Sequence, residues 1–257
     1  MTRSPSKDPA ARREALERWA EEKLGHERRG RFRIMVAQRL PGPERVARGA
    51  LRVIASLRRP ADRLADRVLD RGLDTSSQLK LPIHGVEDRV LYVPSSWHVL
   101  PRALRYIGVS ERDTFVDFGC GKGRIVHQAA QWPFGRVMGV EVSPELAEIA
   151  RNVLAARSHQ HRCRNVEIVV SDVRDFAVPD DFTIGYFFRP FGDRTLQAVL
   201  QAIVESIDRN PRRVRLIYLW PMTSRSKIVA TGRFRVAKEQ WSPLRGAVDR
   251  VAIFESY

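Results

Sequence analysis

The chain has 257 residues, 43% of them apolar, and 45 Lys and Arg against 30 Asp and Glu give it a formal charge of +15. That length suits one large domain or a medium domain with an appendage, and that apolar share suits a globular protein with an ordinary core. No apolar run approaches the roughly 20 residues of a membrane span. The Arg- and Glu-rich start lacks a signal-peptide core, and Cys120 and Cys163 have neither disulfide-framework nor zinc-site spacing, so a cytoplasmic location and no metal site are expected.

The positive charge is uneven. Residues 1–80 hold 20 basic against 11 acidic side chains. Such an excess attracts nucleic acid, an anionic membrane surface or an acidic partner. Here it sits on helix patterns whose charges suit solvated faces, and the stretch is poor in the aromatics that stack on bases. Nucleic acid is therefore the less favoured partner.

The first helix is expected from Asp8-Pro9, an N-cap followed by proline, to Gly25, with Ala15, Leu16, Trp19, Ala20 and Leu24 as its stripe. A second, basic and amphipathic, begins at Pro43 and aligns Val46, Ala47, Ala50, Leu51, Ile54 and Leu57. A third, Pro60–Arg71, carries Ala61, Leu64, Ala65, Val68 and Leu69 and stops at Gly72. Residues 1–80 are expected to form a helical extension that covers or recruits substrate, ahead of an α/β domain over 81–257. A polar connector then leads through Tyr92-Val93-Pro94-Ser95-Ser96-Trp97 to a helix with Leu100, Ala103, Leu104 and Ile107, ending near Gly108.

From residue 114 strands and helices alternate. Strands are expected at Thr114–Phe118, Arg136–Val142, Val166–Ser171, Thr183–Phe188 and Val214–Trp220, with helices at Lys122–Trp132, Pro144–Arg157 and Asp193–Arg209. Apolar strands in βα units predict a parallel sheet covered on both faces. A short helix near Ser224–Ala230 precedes two strand-like runs, Phe234–Trp241 and Val248–Glu255. The short connection between them, Ser242–Ala247, implies an antiparallel pair.

The run FVDFGCGKGR, residues 115–124, is a strand ending in an acid and a turn with three glycines. Glycine permits close approach of backbone to a ligand. Glu141 ends the next strand, 22 positions after Gly119, where a carboxylate can accept from ribose hydroxyls. Ser171-Asp172-Val173 closes the third strand, where an aspartate can meet an adenine amino group. A dinucleotide site prefers G-x-G-x-x-G, but here Arg124 stands at that last position, and Asp117 beside the turn suits a ligand with an amino group better than a pyrophosphate.

In these motifs the chain resembles the class I S-adenosylmethionine (SAM) dependent methyltransferases over roughly residues 90–257, and its first motif is similar to that of protein lysine methyltransferases. The resemblance implies a Rossmann-like, doubly wound, seven-stranded and mostly parallel sheet with an antiparallel C-terminal hairpin, and SAM as cofactor. Gly119, Gly121 and Gly123 would pass close to its methionyl part, Asp117 would hold its ammonium group, and Tyr92 with Ser95 or Ser96 would close over that end. Glu141 would take the ribose, Val142 the adenine face, and Asp172 with Val173 the adenine edge. The residues after the fourth strand face the methyl group in that family, placing Arg189, Pro190 and Phe191 on the acceptor side. Many members carry Asn or Asp before the proline; arginine accepts no hydrogen bond, which disfavours amino-methylation of a base and suits an acceptor with a carboxylate or phosphate. A small molecule or protein side chain is the expected acceptor. An RNA acceptor guided by the basic region and a SAM-binding protein without transfer activity are the alternatives.

Overall fold

The computed structural model describes residues 68–73, 75, 94–188, 191–219, 224–240 and 251–257. The two helices expected before Pro60, Tyr92, the pair Arg189-Pro190, the strand ends at Trp220, Trp241 and Val248, and the hairpin connection Ser242–Ala247 lie outside the described residues.

Helix α1 (Val99–Ile107) tolerates Pro101 because the proline lies in its first turn. It ends at Gly108, whose N–H returns to the Leu104 carbonyl at 2.9 Å. Strand β1 (Thr114–Phe118) is buried at every position. It leads through the glycine turn into α2 (Arg124–Ala130). Then follow β2 (Arg136–Glu141), α3 (Pro144–Ala156), a 3₁₀ turn (Ser158–Gln160), β3 (Val166–Val170) and β4 (Phe182–Phe187). The chain continues through α4 (Asp193–Arg209), β5 (Arg215–Leu219), α5 (Ser224–Ala230), β6 (Phe234–Gln240) and β7 (Val251–Ser256).

The sheet has seven strands in the order β3-β2-β1-β4-β5-β7-β6. β1 to β5 are parallel, and β7 runs antiparallel to both β5 and β6. This is the doubly wound architecture expected, with its reversed C-terminal strand. The chain leaves β1 toward β2 and returns on the other side with β4, so the strand order reverses between them. A crevice for a ligand opens above the carboxyl ends of strands at such a point.

The pleat assigns side chains to two faces. Val116, Phe118, Met138, Val140 and Phe187 pack with Leu196, Val199, Leu200 and Ile203 of α4 and with Ile228 of α5. The alternate residues of β1 and β2, Asp117 and Glu141 among them, therefore face the side of α2 and α3. Gly139 on that face makes room: a Cβ there would stand 2.7 Å from Val126 and 2.8 Å from the Cys120 sulfur. Ser143 caps α3 as its sequence suggests, its Oγ accepting the Leu146 N–H at 3.3 Å with Pro144 next in line. Such a cap contributes about 1 kcal/mol.

Two details differ from expectation. α2 begins two residues later than Lys122, because Gly123 takes a left-handed φ of 78° and the helix cannot start before it. Val68 and Leu69, expected on the apolar face of their helix, are exposed, and the buried apolar side chain is Leu73, packed with Trp97 and Val153 after the left-handed Gly72. The connection from β3 to β4 carries no helix, in keeping with the gap in the sequence pattern, and Phe176 and Val178 fill its place in the core.

Candidate cofactor and active site

Three acidic residues close three adjacent parallel strands. Asp117 lies on β1 opposite Gly139, Glu141 ends β2 opposite Val170, and Asp172 follows β3. The turn after β1 is built by positive φ at Gly119 (86°), Gly121 (53°) and Gly123 (78°), a region that side chains rarely adopt. Its first part hangs from β2, since the N–H groups of Gly119 and Cys120 both donate to the Val140 carbonyl at 2.9 Å.

Glu141 fastens the next part. One carboxylate oxygen accepts the Gly121 N–H at 2.9 Å, and the other accepts the N–H groups of Val142 and Ser143, each at 3.0 Å. The side chain thus caps local backbone. A carboxylate oxygen offers two lone pairs, so the one on Gly121 retains capacity to accept a further hydrogen bond.

Asp117 is buried, with 3% of its surface exposed. Burial, and then the charge of Glu141, push its carboxyl well above the ordinary carboxylate range, and among the described residues no opposing charge or hydrogen bond offsets that rise. Two carboxylates held together in a dry place make a site for a cation. Burial also pushes the Cys120 thiol up, with Asp117 and Glu141 adding to the effect, so this cysteine is inert packing under the turn.

The other expected residues fall as follows. Ser95 is buried and gives its carbonyl to Arg124. Val142 is half-buried beside Glu141. Asp172 is half-buried and accepts from Arg174, through Nη2 at 2.7 Å and Nε at 3.0 Å, while Val173 packs against the α4-side core. Asp172 thus already engages a guanidinium of its own loop. Phe191 stands edge-on to Phe187 at 6.3 Å, and Phe187 is stacked between Phe118 and Tyr218. This aromatic stack closes the ends of β1, β4 and β5. Tyr92, Arg189 and Pro190 lie outside the described residues. Among the described histidines, His127 is buried and bonded at 3.0 Å to His161, which is buried in the loop after the 3₁₀ turn. No metal-holding group of His, Cys, Asp or Glu occurs among the described residues, and none of the described helices is long and apolar enough to cross a membrane.

Sequence reasoning passed over Arg124. It is buried, donating through Nε to Thr75 Oγ1 at 2.8 Å and through Nη1 to the Ser95 carbonyl at 2.8 Å. Nη2 lies 3.4 Å from Asp70, and the guanidinium sits 4.9 Å from the centre of the Trp97 ring. The signal was available: an arginine at the first position of a helix opposes the helix dipole, and no acid lies in that first turn. Such a residue demands a carboxylate from elsewhere.

Residues 115–210 match the family model described as a methyltransferase domain. That match runs from β1 to the end of α4, the part of the chain that carries the glycine turn and the three strand-end acids. A protein-lysine N-methyltransferase of Saccharolobus islandicus (strain REY15A) is 34% identical to it over 89 residues, 32% of this chain and 55% of that protein. The chain therefore spans about half the length of that relative. Similar solved structures include an RNA methyltransferase from Salinibacter ruber in complex with S-adenosylhomocysteine. It is 21% identical, covers 64% of this chain and 92% of its own, and has a TM-score of 0.43. A precorrin 8w decarboxylase from Methanobacterium thermoautotrophicum is 17% identical, covers 65% and 92%, and has a TM-score of 0.48.

Proposed function

We propose that the chain binds SAM above the carboxyl ends of β1 and β2 and transfers its methyl group to a protein side chain. The observation that carries this is the buried pair of carboxylates at the glycine turn, Asp117 and Glu141, with the Asp117 carboxyl pushed up by burial and by its neighbour. That donor set fits a ligand with an ammonium and a sulfonium and does not fit a pyrophosphate. The likeness to a protein-lysine N-methyltransferase supports the choice of acceptor.

SAM supplies an electrophilic methyl group on a sulfonium. The chain's own residues bind and orient. Asp117 receives the ammonium, Glu141 takes the ribose through its remaining lone pair while holding the turn, and Asp172 and Val173 meet the adenine. The left-handed glycines bring backbone close to the methionyl part, where Ser95 and Tyr92 close the end. Phe191, with Pro190, forms the apolar wall of the acceptor side, excludes water and holds the nucleophile in line. Arg189 orients an anionic group of the acceptor. The basic excess of residues 1–80 serves to recruit that acceptor.

Calorimetry with S-adenosylhomocysteine (SAH) and with NAD tests the cofactor. SAH is expected to bind and NAD not to bind; tight NAD binding would overturn the assignment. For the acceptor, labelled SAM offered to denatured and native protein extracts is expected to mark protein and not RNA. Label that enters RNA, and is removed by ribonuclease, would replace this acceptor with a nucleic acid. Arg189→Ala is expected to keep SAH affinity and lower turnover.

A further inference from the structure

We infer that Arg124 is a positioning residue that latches two upstream segments to the cofactor turn, so that cofactor binding and closure of the latch reinforce each other. The inference rests on the proposed SAM site and adds to it a residue of this chain that the motifs do not assign.

The geometry is direct. Arg124 opens α2 directly after Gly123, the last glycine of the turn, and its side chain reaches residues 49 and 29 positions earlier. Nε holds Thr75, Nη1 holds the Ser95 carbonyl, and Nη2 faces Asp70. Asp70 in turn accepts the Thr75 N–H at 3.1 Å and the Thr75 hydroxyl, which closes the 70–75 stretch into a tight loop. Leu73 of that loop is buried against Trp97 and Val153, and the Arg71 carbonyl accepts from Arg157 at 2.6 Å. One side chain therefore sets the distance between the glycine turn and Ser95, the residue that closes over the methionyl end.

A guanidinium that is 2% exposed is a costly way to fill space. Its planar fork holds several acceptors in one geometry, which neither an aliphatic side chain nor lysine reproduces. Burial of this charge is explained when the position of the acceptors matters. Any ligand that needs Ser95 near the turn then favours the latched state, and by linkage the latched state favours the ligand.

The test uses the full chain with SAH, read by calorimetry and by amide hydrogen exchange. In the wild type, SAH is expected to slow exchange at residues 70–75 and 95–97. Arg124→Lys keeps the charge but loses the fork, and is expected to weaken SAH roughly 5- to 50-fold and to abolish that slowing. Thr75→Val is a milder change of similar volume, outside the turn and removed from the cofactor, and it keeps the test valid where Arg124→Lys fails to fold. It is expected to weaken SAH in the same direction and, because the buried Arg124 Nε then lacks this acceptor, to lower the ligand-free melting temperature by less than Arg124→Lys does. Unchanged SAH affinity in Thr75→Val, or slowing at 70–75 that persists in both variants, would overturn the latch while leaving the SAM site intact. A wild type that binds no SAH would overturn both.

Discussion

Glu141 accepts the backbone N–H of Gly121 at 2.9 Å, across 20 residues of sequence, while its other oxygen takes Val142 and Ser143. One carboxylate therefore ties the glycine turn of β1 to the end of β2. Glu141→Gln keeps the size but presents an amide NH₂ to one of these N–H groups, leaving a buried donor facing a donor. SAH affinity in this variant is expected to fall about 10- to 100-fold, with about 1–3 kcal/mol of stability lost to the unmet group. Calorimetry and chemical denaturation on the same preparation measure both. A Gln variant that binds SAH as the wild type does would remove Glu141 from the site.

Gly123 and Ala150 form a second close relationship. A Cβ on Gly123 would meet the Ala150 Cβ at 2.8 Å, and Gly123 holds a left-handed φ of 78°. Gly123→Ala is thus opposed twice, by contact with α3 and by backbone strain of about 1–2 kcal/mol. A total loss of roughly 2–4 kcal/mol is expected. Adding Ala150→Gly removes the Cβ contact but leaves the Ala150 Cα at 3.1 Å and the strain, and itself costs about 1 kcal/mol in a helix interior. The double variant is therefore expected to remain less stable than the wild type in thermal melting.

These two contacts show what could be read in the chain and what could not. The bounds of β1 were legible because Thr114–Phe118 is apolar on both faces apart from one acid, which parallel central strands require. The start of α3 was legible because Ser143 and Pro144 state it locally. The three acids at strand ends were legible because each lies at a fixed offset from a strand. The partners of Gly123 and Arg124 were not, because Ala150 and Asp70 lie far along the chain and nothing local names them. The β3–β4 crossing was legible only as a gap in the helix pattern; that Phe176 and Val178 fill it depends on their packing in the core against strands and α4 residues distant in sequence.

His127 offers a pH test unrelated to the cofactor. Burial first, then the charges of His161, Arg157 and His159, lower its pKa from 6.5 to about 4. Between those values the unfolded chain binds a proton that the folded chain does not. Stability is therefore full above pH 6.5 and falls as the pH drops toward 4, by roughly 2–3 kcal/mol from this group. His161, whose pKa is also lowered by burial, acts in the same sense. His127→Gln does not titrate, so its melting temperature is expected to depend less on pH over that range. Parallel slopes for the two proteins would show that His127 is not the group responsible.

Asp117 titrates with the opposite sign. Its folded pKa is raised, by burial and then by Glu141. Below the ordinary carboxylate pKa both folded and unfolded chains hold the proton and the group is neutral in its effect. As the pH rises, the unfolded chain releases the proton first, and the folded chain must keep it or bury a charge, so stability falls. Asp117→Asn removes that penalty. It is expected to melt about 2–4 °C above the wild type at pH 8, corresponding to roughly 1 kcal/mol, with the gap closing toward pH 4. The same change should harm binding. The ligand's ammonium favours the ionised carboxylate, so SAH binding to the wild type releases a proton and tightens as the pH rises through the free protein's Asp117 pKa. Asparagine can release none. Calorimetry in two buffers of different ionisation enthalpy counts the proton. The wild type is expected to release it, and Asp117→Asn to bind weakly and without pH dependence over that range. A variant that is more stable yet binds SAH as tightly as the wild type would leave Asp117 as a strained core residue with no part in holding the cofactor.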